Sequence, residues 1–255
     1  MNGKATTIRE VIERLEEIIQ DSIQEGNRLG YFAALYKRVT VRVEEGIENK
    51  EFNDNQAMER LDVVFANRYL EAYDLYKADK PVTESWKVAF DAANEWHILV
   101  LQQLFVGMNA HISLDLGIAA YEVYGENLPN NEDDFNKINE ILGSLVDTVQ
   151  DELASFWWIM KVLDKVARQL DEKLADFAMK IARDAAWKFA MELRSTPNEE
   201  LEEVIEDRDD DVAEFGWKLV HPGFILYNVI RVLKLFEFGS VASKIEKLNT
   251  PASAN

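Results

Sequence analysis

The chain has 255 residues, 47% of them hydrophobic, with 13 Phe, 8 Tyr and 6 Trp but only 11 Gly and 5 Pro. That composition supplies a large core and too few turn formers for a β-sandwich. A formal net charge of −19 repels phosphate backbones and anionic lipid, and the lack of cysteine excludes disulfides, thiolate metal sites and thiol nucleophiles.

Taken in order, Thr6 or Thr7 is positioned to cap a first helix whose apolar face is Ile8, Val11, Ile12, Leu15, Ile19 and Ile23, ending at Gly26-Asn27. A second helix is expected at about 29–45. Its Val39-Thr40-Val41-Arg42-Val43 run has strand propensity but no partner strand, so it reads as helical. A polar break at 49–55 precedes a helix at about 56–78. The segment at about 85–124 is the most unusual, because Asp115 is the one formal charge between Glu95 and Glu122. Gln102, Gln103, Asn109, His111, Ser113 and Asp115 interrupt it too often for a membrane span, so it reads as a buried central helix.

Turn formers at Pro129, Asn130 and Asn131 end that segment, and helices are expected at about 134–149, 151–166 and 171–194. Thr196 and Pro197 read as a cap and first turn, and Asp207 to Asp211 as an acidic cluster before another helix. His221-Pro222-Gly223 breaks the chain before a last helix at about 224–238. The expected fold is therefore all-α: a single-domain helical bundle, residues 1–248, around the central helix, with a frayed tail at 249–255. The N-terminus lacks an apolar signal core and no glycosylation sequon occurs, so a cytoplasmic location is expected.

The run Gly107-Met108-Asn109-Ala110-His111-Ile112-Ser113-Leu114-Asp115-Leu116-Gly117 resembles the signature of an uncharacterised helical family catalogued as domain of unknown function fifty-nine ninety-five. Similar pieces follow the same order at 61–70 (Leu-Asp-Val-Val-Phe-Ala-Asn-Arg-Tyr-Leu), 135–139 (Phe-Asn-Lys-Ile-Asn) and 182–187 (Ala-Arg-Asp-Ala-Ala-Trp). The resemblance implies a helical domain over roughly residues 30–245 and carries no established activity.

Function must then come from the residues. His111 and Asp115 lie four apart, one above the other on a helix, with Glu122 on the same stripe. A buried carboxylate needs a partner, and Arg68 and Arg183, each in an apolar or aromatic stretch, are the candidates. Three readings are open. His111, Asp115, Asn109 and an arginine form a structural network in a non-catalytic binding protein. Alternatively, His111 and Asp115 act as an acid/base pair on an apolar or aromatic small molecule, with Asn109, Arg68, Arg183, Trp187 and Tyr69 binding it, in a cyclisation, isomerisation, elimination or hydrolysis. The third is a divalent metal held by His111, Asp115 and His221. The enzyme reading is preferred, with specialised metabolism as one setting for it, no cofactor, a small-molecule substrate, no nucleic-acid or membrane partner, and homo-oligomerisation left open. Asp147-x-x-x-Asp151 and Asp207-x-x-x-Asp211 admit a terpenoid-synthase-like alternative, while Phe156-Trp157-Trp158 reads as core. Glycine-rich nucleotide loops and the Gly-x-Ser-x-Gly elbow are absent from the sequence.

Overall fold

A computed structural model describes residues 3–138 and 179–250. Among these, the regular elements are helices: α1 (Ile8–Glu25), α2 (Gly30–Glu48), α3 (Asn55–Lys77), α4 (Glu84–Ala92), α5 (Val100–Ala110), a π-helical turn (His111–Asp115), α6 (Leu116–Tyr124), a 3-10 turn (Gly125–Asn131), α7 (Met179–Ser195), α8 (Leu201–Val220), α9 (Phe224–Lys234) and α10 (Val241–Asn249). The all-α fold around an apolar central rod is the one the sequence predicts. Asp147, Asp151, the Phe156-Trp157-Trp158 run and the helix expected at 151–166 lie outside the described residues.

Local signals set α1 and α3. The Thr7 hydroxyl accepts from the Glu10 N–H at 3.2 Å, and the Glu10 carboxylate reaches back to the Thr6 N–H, a reciprocal cap. Gly26 closes α1 in the left-handed region at φ 64°, where glycine alone avoids a Cβ clash. Asp54 caps α3 through the Ala57 N–H at 2.9 Å.

The rod formed by α5, the π turn and α6 lies at the centre. α2, α4 and α8 pack on α5, α3 and α7 on α6, while α10 covers α1 and α2. The stretch Val100–Ile138 is long and apolar enough to cross a membrane, but 78% of its most apolar window is buried within the protein. Gly107 permits the close approach of α2, since a Cβ there would lie 2.7 Å from the Phe32 ring.

Several boundaries differ from expectation. The central helix begins at Val100, not near Ser85, because the chain turns between α4 and α5 and tertiary partners satisfy the exposed backbone. Glu237 accepts from the Val100 N–H at 2.8 Å, Lys234 donates to the Ile98 carbonyl at 2.7 Å, and Arg28 donates to the Glu95 carbonyl at 2.7 Å. Asp207 to Asp211 sits inside α8 rather than before it. Within it, Asp209 is buried and accepts from the Glu84 and Ser85 N–H groups at 2.7 and 3.0 Å, capping α4 from a distance. Asp134 does the same at the start of α3, through Asn53 and Asp54 at 2.8 and 2.7 Å. Three carboxylates of this acidic chain are thus fixed where helix N-termini offer unpaired N–H groups and positive dipole ends. Thr196 and Pro197 do not start α8. The Thr196 hydroxyl instead donates to the Glu192 carbonyl at 2.9 Å and closes α7. The last helix ends earlier, at Lys234, and α10 follows it. The Ser240 hydroxyl caps α10, and Ile245 and Leu248 are buried.

Candidate functional site

The site grows from an irregularity in the rod. At the π turn the Leu116 N–H bonds to the His111 carbonyl, five residues back, and Arg208 of α8 braces the turn by donating to the Ser113 carbonyl at 2.9 Å. Such single-turn bulges recur at functional positions because they re-aim side chains that a regular helix would hold in register. Here the turn begins with His111 and ends with Asp115, which are 2% and 1% exposed.

Among the described residues, Asp115 has three polar neighbours. Arg68 Nε donates to Oδ1 at 2.8 Å and Trp86 Nε1 donates to Oδ2 at 2.8 Å. His111 Nδ1 lies 3.2 Å from Oδ2. Burial alone would raise the Asp115 pKa, but the His111 contact, the Arg68 charge and the Trp86 hydrogen bond hold it below the ordinary carboxylate range. Burial pushes His111 the other way, below the ordinary imidazole range, with Asp115 opposing and the Arg68 charge reinforcing the shift. The site therefore carries an arginine cation, a carboxylate and a neutral imidazole. Because a carboxylate only accepts, His111 carries its proton on Nδ1 and presents a bare lone pair at Nε2. That Nε2 is buried and has no hydrogen-bond partner among the described residues.

Among the described residues, five aromatic rings surround the imidazole. Phe65 stacks on it at 3.6 Å and 7°, Tyr36 meets it edge-on at 4.5 Å, and Phe32, Trp86 and Tyr69 stand 5.8, 5.8 and 6.1 Å away. The Tyr69 hydroxyl and both amide atoms of Gln103 are likewise buried and unpartnered. One side of the site approaches solvent. Arg68 is about a quarter exposed, and its Nη1 lies 3.7 Å from the half-exposed Glu122. The helical stripe His111, Asp115, Glu122 thus holds in space, with Arg68 spanning its last two members.

Of the other sequence candidates, Tyr69 joins the ring cage, and Arg68 rather than Arg183 is the partner of Asp115. Arg183 lies with α7 beside the helical residues that follow the 3-10 turn, donating to the Phe135 carbonyl at 2.6 Å and stacking over the Phe135 ring. Burial lowers its pKa to about 9. Trp187 packs on the same Phe135 ring, 4.8 Å away. Neither is brought to His111. Asn109 faces α8, donating to the Val212 carbonyl at 2.8 Å, so it locks two helices instead of lining the cage. His221 stacks on Trp217 and sits 3.7 Å from Glu95, which also meets His97 at 3.3 Å. The metal set His111, Asp115 and His221 is therefore not assembled, because α8 carries His221 to the end of the rod where α5 starts. Among the described residues, no group of three or more His, Asp or Glu is arranged to hold a metal ion.

Sequence reasoning missed Trp86, Phe65, Tyr36 and Phe32, whose spacing is that of ordinary core positions. It also missed Asp62. This carboxyl is buried with Oδ2 unpartnered, and burial, then the charges of Glu59 and Glu44, push it up to about 7. A signal was present: Asp62, Phe65 and Tyr69 fall at i, i+3 and i+7, placing an acid on an apolar helix face.

Residues 8–222 match a family model described as a family of unknown function, DUF5995. The chain belongs to the DUF5995 family. The matched span contains every residue placed around His111 and ends before α9 and α10, so Glu237, the distant cap of the rod, lies beyond the DUF5995 match. No curated protein and no solved structure matches the chain.

Proposed function

We propose that this protein is a cytoplasmic enzyme of small-molecule metabolism in which His111 is the base toward an uncharged, apolar or aromatic substrate. One observation carries the reading: His111 Nε2 is a buried lone pair with no partner, while Nδ1 is anchored on Asp115. An unsatisfied buried polar atom costs about 1–3 kcal/mol, so its persistence asks for a use. Asp115 orients the ring and supports the imidazolium that forms when Nε2 takes a proton. The stacked Phe65 presents its ring face to that cation and adds attraction for it. Substrate enters past the Arg68–Glu122 edge, where the ion pair is long and partly solvated.

A non-catalytic network is the second reading, favoured by the saturation of both Asp115 oxygens and by the sealed state of the pair. The test uses histidine labelled with ¹⁵N and three uncharged probes: phenol, indole and acetophenone. A saturable shift of the His111 Nε2 resonance, lost in His111→Gln with helicity unchanged, is the expected result. If all three probes leave that resonance unmoved, the enzyme reading fails and the network reading stands.

A further inference from the structure

A helix on the surface of a domain normally turns polar residues outward, and one that is apolar all round is normally covered. α9 is apolar on both faces. Leu226, Ile230 and Leu233 are buried and pack with Leu99 at the start of the rod. The opposite face carries Phe224, Ile225, Val232 and Leu235, which are 84, 60, 55 and 68% exposed. Positions 224, 225, 228, 232 and 235 run as one stripe down the helix, with the exposed Asn228 as its polar member. Trp96, 55% exposed, extends the stripe sideways, because the Arg231 guanidinium lies 5.6 Å from its ring and 5.7 Å from that of Tyr227. At ordinary side-chain areas the four apolar groups of the stripe expose roughly 500 Å², in the upper range of the largest apolar patch on a typical monomer, about 300–600 Å². With Trp96, Asn228 and the stem of Arg231 the face reaches about 800 Å², the area each partner contributes to a standard interface.

We propose that the outer face of α9 is a self-association surface whose occupant is α9 of a second copy of this chain, in a two-fold symmetric dimer. Burying two-thirds of the face on each protomer removes about 1,000 Å² in total, the area a specific interface has to clear. Charge selects the same occupant. The molecule carries −19, so two copies repel one another over most of their surfaces, and anionic lipid is repelled as well. Residues 222–236 hold Arg231 and Lys234 and no acid, so two copies meet there without opposing carboxylates. A two-fold axis needs a self-complementary patch. With the helices antiparallel and the axis level with the middle of α9, Phe224 of each protomer meets Leu235 of the other, and Ile225 meets Val232. Asn228 donates its side-chain N–H to the Phe224 carbonyl at 2.7 Å, which leaves its amide oxygen to accept from Arg231 across the axis. The two Arg231 cations are then not set against each other. The face lies where Leu99 begins the rod, twelve residues and about 18 Å before His111, so it stands apart from the aromatic cage.

Sedimentation velocity on the full chain, from about 1 to 200 µM, measures the association. The wild type is expected to move from the monomer mass toward twice that mass, and to associate more tightly at about 500 mM than at about 50 mM NaCl, because salt screens the acidic repulsion and spares the apolar contact. Two double variants, Phe224→Glu with Leu235→Glu and Phe224→Lys with Leu235→Lys, alter exposed side chains only, and circular dichroism checks that helicity is kept. Each variant alone sets like charges across the axis and should weaken association by about 10²-fold or more, whereas mixing the two brings opposite charges together and restores the dimer. A wild type that stays monomeric at the highest concentration overturns the proposal. So does a dimer that both variants leave unchanged, since the contact then lies elsewhere on the protein. Variants that dissociate singly but do not pair when mixed overturn the antiparallel arrangement. Binding of a monomeric wild type to phosphatidylcholine vesicles, lost in the glutamate variant, overturns the dimer and gives the face to a lipid surface.

Discussion

Replacing Arg68 with methionine keeps much of the side chain's length and apolar stem but strands the Asp115 carboxylate. The native pair has Nε 2.8 Å from Oδ1, and Asp115 is 1% exposed. Removing one partner from a buried ion pair typically costs about 3–5 kcal/mol, because the remaining charge is left without compensation. The Arg68 contact with Glu122 adds little, being 3.7 Å long and half exposed on the acid side. The pH dependence supplies the sharper check. In the wild type Asp115 has a depressed pKa, so its contribution is complete above the unfolded value of about 3.9 and is lost only as the pH falls through the folded value. In Arg68→Met the carboxylate loses its cation, its pKa rises, and a proton on Asp115 or on His111 relieves the strain. His111 helps because the Arg68 charge no longer suppresses its protonation. Urea unfolding at pH 8.0 and pH 5.5, with linear extrapolation, measures both effects. The expected loss relative to wild type is about 3–5 kcal/mol at pH 8.0 and clearly smaller at pH 5.5. Adding Asp115→Asn should recover most of it, as coupled neighbours require. A loss below about 1 kcal/mol, the range of a surface pair, or one that grows on acidification, would refute the assignment of Arg68 as the compensating charge.

His111→Gln should flatten the acid limb of the stability curve. A depressed histidine stabilises the fold above about pH 6.5 and withdraws that support as the pH falls toward its folded value, so the wild type but not the variant weakens across that window. Glu237→Gln keeps an acceptor for the Val100 N–H but leaves Lys234 and Lys244, 2.6 and 3.2 Å from the original carboxylate, without their anion; calorimetry should register a loss of about 3–5 kcal/mol. Gly117→Ala places a Cβ 2.6 Å from the Phe189 ring and 2.9 Å from the Ala186 carbonyl, whose backbone cannot yield. Denaturant unfolding should show a cost of about 1–3 kcal/mol before the helix-propensity gain. Gly216→Ala meets only side-chain atoms at 3.3–3.4 Å, so the propensity gain of about 1 kcal/mol should leave it neutral or stabilised in the same assay.

The sequence by itself determined the helices, because periodicity, caps and breakers are local: Thr7 and Gly26 bound α1, and the charge-poor run through His111 could only be a buried rod. It also determined that Asp115, once buried, needs a partner or a proton, with Arg68 and Arg183 as the candidate partners, since burying a carboxylate alone is too costly to leave uncompensated. Only the tertiary structure decided that the partner is a cation and which one. Arg68 and Arg183 sit in equally apolar contexts, and α3 rather than α7 faces the π turn with its arginine. The turn itself, the choice of Phe32, Tyr36, Phe65 and Trp86 as the cage, and the burial of Asp62 also arise from how helices pack. So do the caps from Asp134, Asp209 and Glu237, which span 80 residues or more in sequence. A side chain's chemistry is written in its type, but its burial and partners belong to helices far away in the chain, and no local pattern encodes that meeting.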